Sequence, residues 1–405
     1  MKDRALLTSD MIPILTESMR YDDFQLLVMK KDTDGYPARV ISASAGEAQG
    51  ILSFNSASDT IQRALARIET EDTDEELFID LGRKLFQHLF SGQIENVYRA
   101  SLGYARGQGK GLRIRLRLEP PELDAIPWEY LYDELNDLFL GVSPETPITR
   151  YIQVAEPPRP TTIHPALRVL VVISNPVNLA EYGLPELDVE KEKQALSQAL
   201  EEWQEEGLVE LEFLEHAIAS EIREKLRRYQ PHIFHFIGHG AFRDDTGYLV
   251  IQDDDRRCRL ITSRTFREFF LGSDFTKLVV LNACQSATTS STPPCPPLQG
   301  GERRGGMMGL AHNLVRRGLP AVVAMQYSMY DDTAIKFSRE FYRALAVGLP
   351  VDTAASEARR AIYIDCGVER RDWGIPVLFM RAPDGVILEL AEPIAEPPPP
   401  VAIPG

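Results

Sequence analysis

The chain has 405 residues, of which 44% are hydrophobic and 26% charged. These proportions belong to a folded chain that buries apolar surface, with length enough for two domains. Its formal net charge of −16 makes a field that repels nucleic acid and anionic membrane, so neither is expected as a direct partner. The four cysteines, Cys258, Cys284, Cys295 and Cys366, form no CxxC pair and no metal-type spacing with histidine, so no metal, cofactor or disulfide framework is expected. The N-terminal stretch has no apolar core ahead of a cleavage site, and no apolar run reaches about 18 residues. A cytoplasmic location is the expectation.

In chain order, "FQLLVMKK" and "ARVISAS" read as strands, followed by helical patterns over Ser58 to Glu69 and Asp74 to Phe90. "LRIRLRLEP" then alternates, with Leu112, Ile114, Leu116 and Leu118 on one face and Arg113, Arg115 and Arg117 on the other. That pattern predicts a half-buried strand with its arginines in solvent. The glycine-rich "GYARGQGKG" before it lacks the spacing of a phosphate loop and precedes a strand instead of following one. Residues 1–154 are therefore expected to form a smaller α+β domain, with a partner-binding or sensing role, and the proline-rich stretch 155–165 a linker.

Residues 166–390 alternate short Val/Ile/Leu strands with amphipathic helices, which predicts an α/β domain built on a mostly parallel sheet flanked by helices. "LRVLVVI", "LVELEFLEH", "HIFHFIGHG", "TKLVVLNAC", "PAVVAMQ" and "IPVLFM" are its strands. The Pro/Gly/Ser/Thr-rich segment 287–306 reads as a mobile loop inside this domain, and 391–405 as a disordered proline-rich tail.

Two strand ends carry chemistry. The third strand runs into "FIGHGAF" and the next into "VVLNACQSA", and parallel neighbours place their carboxyl ends on one edge of the sheet, where ligands bind. His239 and Cys284 would then face each other. An imidazole beside a thiol can take its proton and later protonate a leaving amine. The N–H groups of Gly240 and Cys284 are the candidate oxyanion donors. His235, on the strand itself, reads as a core or supporting polar group, and His232, at the start of the strand, as structural or solvated.

With "HFIGHG" and "VVLNACQSA", "GLPAVVAMQYSMYDD" and a closing "DWGIPVLFM", the segment from Leu167 to Leu390 resembles the CHAT domain, a bacterial branch of the caspase-like cysteine peptidases. "PPELDAIPWEYLYDE", Pro120 to Glu134, resembles a segment found just upstream in CHAT proteins. The resemblance implies a cysteine endopeptidase with His239 as base and Cys284 as nucleophile, acting on a protein or peptide and released by an activating protein partner, in settings that include anti-phage defence and cell death. It also implies an acid near Asp331 and Asp332, where the local reading is a helix N-cap. Relatives that cleave after basic residues often carry Asp two positions before the nucleophile, and here Asn282 stands there; Asp244, Asp245 or Asp331 could still supply the charge for a basic-specific pocket. Caspase-like enzymes are often cut in the connection after the nucleophile, which makes Arg303 and Arg304 candidate self-cleavage positions. The rival reading is a non-catalytic caspase-like scaffold. A nucleotide-binding domain is disfavoured because "ISNPVN" stands where GxGxxG belongs.

Overall fold

The computed structural model describes residues 19–54, 59–243, 246–285 and 305–391. Asp244, Asp245, Cys295, Arg303, Arg304 and nearly all of the expected loop and tail lie outside them; Gly305 and Gly306, expected in the loop, open the helix Gly305–Arg316.

One sheet organises the whole chain. From one edge to the other it runs Val209–Leu214, Leu167–Ile173, Ile233–Arg243, Leu278–Gln285, Ala321–Met325, Pro376–Met380, Ile148–Tyr151, Gly111–Leu118, Tyr21–Val28, Tyr36–Ser42 and Gly46–Leu52. Most neighbours are parallel; Ala321–Met325 with Pro376–Met380 and the two N-terminal hairpin pairs are antiparallel. Helices cover both faces, so the protein is α/β with a mostly parallel sheet, as the strand and helix rhythm predicts.

The stretch read as a smaller N-terminal domain shares this sheet. Ile148–Tyr151 pairs in parallel with Gly111–Leu118 on one side and with Pro376–Met380 on the other. Residues 155–165 thus connect two stretches of one sheet, and Thr161–Ile163 within them pairs with Leu388–Leu390. The apolar core is continuous as well: Phe24, Phe78 and Trp128 belong to the same buried cluster as Val171, Phe341 and Trp373.

The arginine strand corrects an expectation. Gly111–Leu118 is central, so both of its faces are covered, and Arg113 and Arg115 are 4% and 8% exposed. Arg113 bonds Asp352, fully desolvated on the helix Val351–Cys366, and Arg115 pairs with Asp23 at 2.5 Å and bonds the carbonyl of Pro383. Alternation in a sequence marks two chemically different faces; it does not say which face meets water.

The segment Pro120 to Glu134 is the seam between the two stretches. Trp128 and Tyr130 are fully buried. The Tyr130 hydroxyl donates to the Arg371 carbonyl at 2.6 Å, and its ring meets Trp373 edge-on at 4.8 Å. A Cβ on Gly374 would lie 2.1 Å from that ring, so no larger residue fits there.

Candidate active site

The strand order reverses beside the histidine strand. From Leu167–Ile173 the chain adds Val209–Leu214 on one side, then crosses back to place Ile233–Arg243 on the other. The carboxyl ends at such a reversal splay apart and leave a crevice.

His239 stands at this edge. Pairing of its strand with Leu167–Ile173 stops at Ile237, opposite Ile173. The strand itself continues to Arg243 and turns back as a hairpin with Thr246–Gln252, Gly240 lying opposite Leu249. On the other side the register continues, with Gly238 opposite Ala283, His239 opposite Cys284 and Gly240 opposite Gln285. Residues paired across parallel strands share a face and stand about 4.8 Å apart along the hydrogen-bonding direction. The backbone thus sets His239 and Cys284 side by side at one edge, the juxtaposition expected from the two strand ends.

Gly238 has a packing reason. A Cβ there would lie 2.8 Å from the Phe236 ring and 3.1 Å from Ser174 Cβ. The Ser174 N–H donates to Ile237 O at 2.8 Å, so the chain leaving Leu167–Ile173 presses on the histidine strand where a side chain would stand.

The same loop anchors the imidazole. Asn175 closes its base, accepting from the Leu187 N–H and donating to the Leu187 carbonyl, both at 3.0 Å. Between them the Pro185 carbonyl meets His239 Nε2 at 2.8 Å. A carbonyl only accepts, so Nε2 carries the proton and Nδ1 is the basic nitrogen of the neutral ring. Pro185 was invisible to motif reasoning, since its backbone does the work. His239 is 3% exposed; burial pushes its pKa down, opposed by the Pro185 carbonyl, which favours the imidazolium. Long-range proton–nitrogen spectra at neutral pH should show the Nε2–H tautomer for His239; the Nδ1–H form would contradict this geometry.

The other two histidines of the run are buried, which removes the solvated alternative for His232. His235 lies on the same face, fully desolvated, with Nδ1 2.8 Å from the Tyr342 hydroxyl of the helix Asp331–Ala346. His232 accepts the Arg168 backbone N–H on Nδ1 at 3.1 Å. Burial pushes His235 down to about 3, and burial with the nearby Arg168 charge pushes His232 down to about 4. Their folded pKa values lie below the ordinary histidine value, so the unfolded chain binds more protons in this range. Their contribution is therefore whole above about pH 6.5 and lost as pH falls, at about 1.4 kcal/mol per pH unit for each histidine. Urea midpoints should drop steadily between pH 6.5 and 4; a flat profile would refute the assignment.

Asn282, opposite Ile237 and partly buried, is two residues before Cys284 on the same face. Asp331 and Asp332 are the first two residues of the helix Asp331–Ala346, with Tyr330 at the N-cap position. They complement the helix dipole, so the N-cap expectation is off by one residue. Asp331 pairs with Lys191 at 2.6 Å, joining its helix to the one that follows the Pro185 loop. Asp332 lies 3.7 Å from Arg370 and, with Glu71, Tyr330, Arg371 and Asp372, lines a cleft of about 450 Å³. Because Pro376 pairs with Met325, this cleft opens on the same edge of the sheet. Among the described residues no group of three or more His, Cys, Asp or Glu is arranged to hold a metal ion, and no helix is long and apolar enough to cross a membrane.

No curated protein matches the chain. Among solved structures, the crystal structure of the Arg specific cysteine proteinase gingipain R is similar at 11% identity, covering 79% of this chain and 75% of that one with a TM-score of 0.40. The model of the CHAT domain matches residues 80–383, which includes Pro120 to Glu134, the arginine strand, His239 and Cys284. The chain belongs to the CHAT domain family.

Proposed function

We propose that the protein is a caspase-like cysteine endopeptidase with a His239/Cys284 dyad. The observation that carries this reading is the register that pairs His239 with Cys284 at a sheet edge where the Pro185 carbonyl fixes the imidazole. Nδ1 of His239 takes the thiol proton, and the thiolate attacks the substrate carbonyl carbon. The N–H groups of Gly240 and Cys284 hold the oxyanion. When the C–N bond breaks, His239 returns the proton to the leaving amine, and a thioester remains. Water, deprotonated by His239, attacks that thioester and releases the acid and the thiol.

Asn282, Asp331 and Asp332 are proposed to border the substrate. A cleft with Glu71, Asp332 and Asp372 on its walls suits a basic side chain, although Arg370 and Arg371 already neutralise part of it. An activating protein partner and self-cleavage at Arg303 or Arg304 belong to the same reading; a chain that stays uncut on prolonged incubation of active enzyme would remove the latter. The decisive experiment uses a peptide probe with a thiol-reactive warhead, mapped by mass spectrometry. Label is expected on Cys284 in the wild type and on no residue in Cys284→Ala. Label on Cys258 or Cys366, or labelling unaffected by the substitution, would sink the proposal.

A further inference from the structure

The sheet ends on an open strand two strands away from the His239 strand. Val209–Leu214 pairs with Leu167–Ile173 and, among the described residues, with no other strand. The Leu167 N–H donates to Leu208 O at 2.8 Å, and backbone groups alternate sides along a strand. Glu210 and Glu212 therefore turn their N–H and C=O groups inward, toward Leu167–Ile173. Val209, Leu211 and Phe213 turn theirs outward. A row of outward donors and acceptors is a template for one more strand.

A groove of about 420 Å³ runs beside this strand, against the helix Ala219–Tyr229, with Leu214 and Tyr229 among its lining and Glu212, Glu221 and Glu224 along it. Tyr229 braces it by donating to the Glu210 carbonyl at 2.9 Å. Lys225 bonds Glu212, and Arg228 pairs with Glu224 at 2.9 Å. Among the described residues no cation within 4.0 Å pairs with Glu210 or Glu221. Arg168, the register partner of Glu210, is committed to the Gln230 carbonyl at 3.0 and 2.8 Å. The groove thus keeps surplus negative charge on the face where every second side chain of an added strand would lie. A second copy of this strand would set Glu210 and Glu212 against like charges, on a chain whose net charge is already −16.

We propose that Val209–Leu214 is a docking edge for a partner protein, which adds an extended segment with Lys or Arg at every second position. Backbone pairing with Val209, Leu211 and Phe213 supplies the hold, and the groove glutamates select the charge. The edge lies two strands away from His239, so this site stands whether or not the dyad is active.

The test is amide exchange on the whole chain with an eight-residue alternating Lys-Val peptide, against an alternating Glu-Val peptide. The Lys-Val peptide is expected to slow exchange at the Val209, Leu211 and Phe213 amides by about 10-fold or more. The Glu210 and Glu212 amides, already paired, should not change, and the Glu-Val peptide should do nothing. The double variant Glu212→Lys, Glu221→Lys should lose the protection. Lys-Val binding without protection of the outward amides would reduce the edge to a charged surface and overturn the proposal. Equal protection by both peptides would overturn the charge selection. Protection that grows with protein concentration in the absence of peptide would assign the edge to a second copy instead.

Discussion

His239→Ala is expected to lower kcat/KM for peptide hydrolysis by roughly 10²- to 10⁴-fold, the range for loss of a positioned general base. The pH profile separates this from a merely structural effect. Catalysis needs neutral His239, and burial lowers its pKa. The acid limb of wild-type activity should therefore lie below pH 6.5, the ordinary histidine value. In His239→Ala that limb should vanish, leaving weak activity that rises only as the thiol itself ionises at alkaline pH. An unchanged acid limb in the variant would mean that another group is the base. Circular dichroism of the variant checks that the fold persists.

Glu129→Gln is expected to cost about 3–5 kcal/mol of stability, the range for breaking a buried ion pair by removing one member. Glu129 and Arg150 are 0% and 2% exposed, joined at 3.1 and 2.8 Å. Arg359 is also fully buried; burial pushes its pKa down to about 10, and Glu129 is the nearby charge that opposes this. Glutamine keeps the shape of Glu129 and removes a negative charge that these two guanidiniums share. The double variant Glu129→Gln, Arg150→Met should recover much of the loss, because a buried pair replaced as a pair often breaks even. Urea midpoints of the single and double variants measure both effects. Equal stability of Glu129→Gln and wild type would show that water or another group solvates the cations.

This pair also shows why one motif was legible only by resemblance. "WEYL" carries no periodicity and no reactive spacing, so nothing local tells what Glu129 is for. Its partner is 21 residues away on a strand, and the neighbouring Tyr130 bonds Arg371 across the sheet. Contacts at that separation leave no mark on short-range pattern.

The arginine strand failed for a related reason. Period-two alternation is a local property and marks a strand, yet burial depends on what covers each face. Asp23 and Asp352 lie on a neighbouring strand and a late helix, and they turn a face expected in solvent into a desolvated charge network.

The strand and helix rhythm and the adjacency of the "GHG" and "NAC" strands are written in the sequence. Those features rest on side-chain period, chain length between strands and residue chemistry, all of which are local. The sheet shared by the described parts of 1–154 and 166–390, the fit of Gly238 against the Phe236 ring and Ser174, and the Pro185 carbonyl that sets the His239 tautomer come from the tertiary fold. Pairing register and backbone acceptors are set by which surfaces can be buried together, and that choice is made by the whole chain at once.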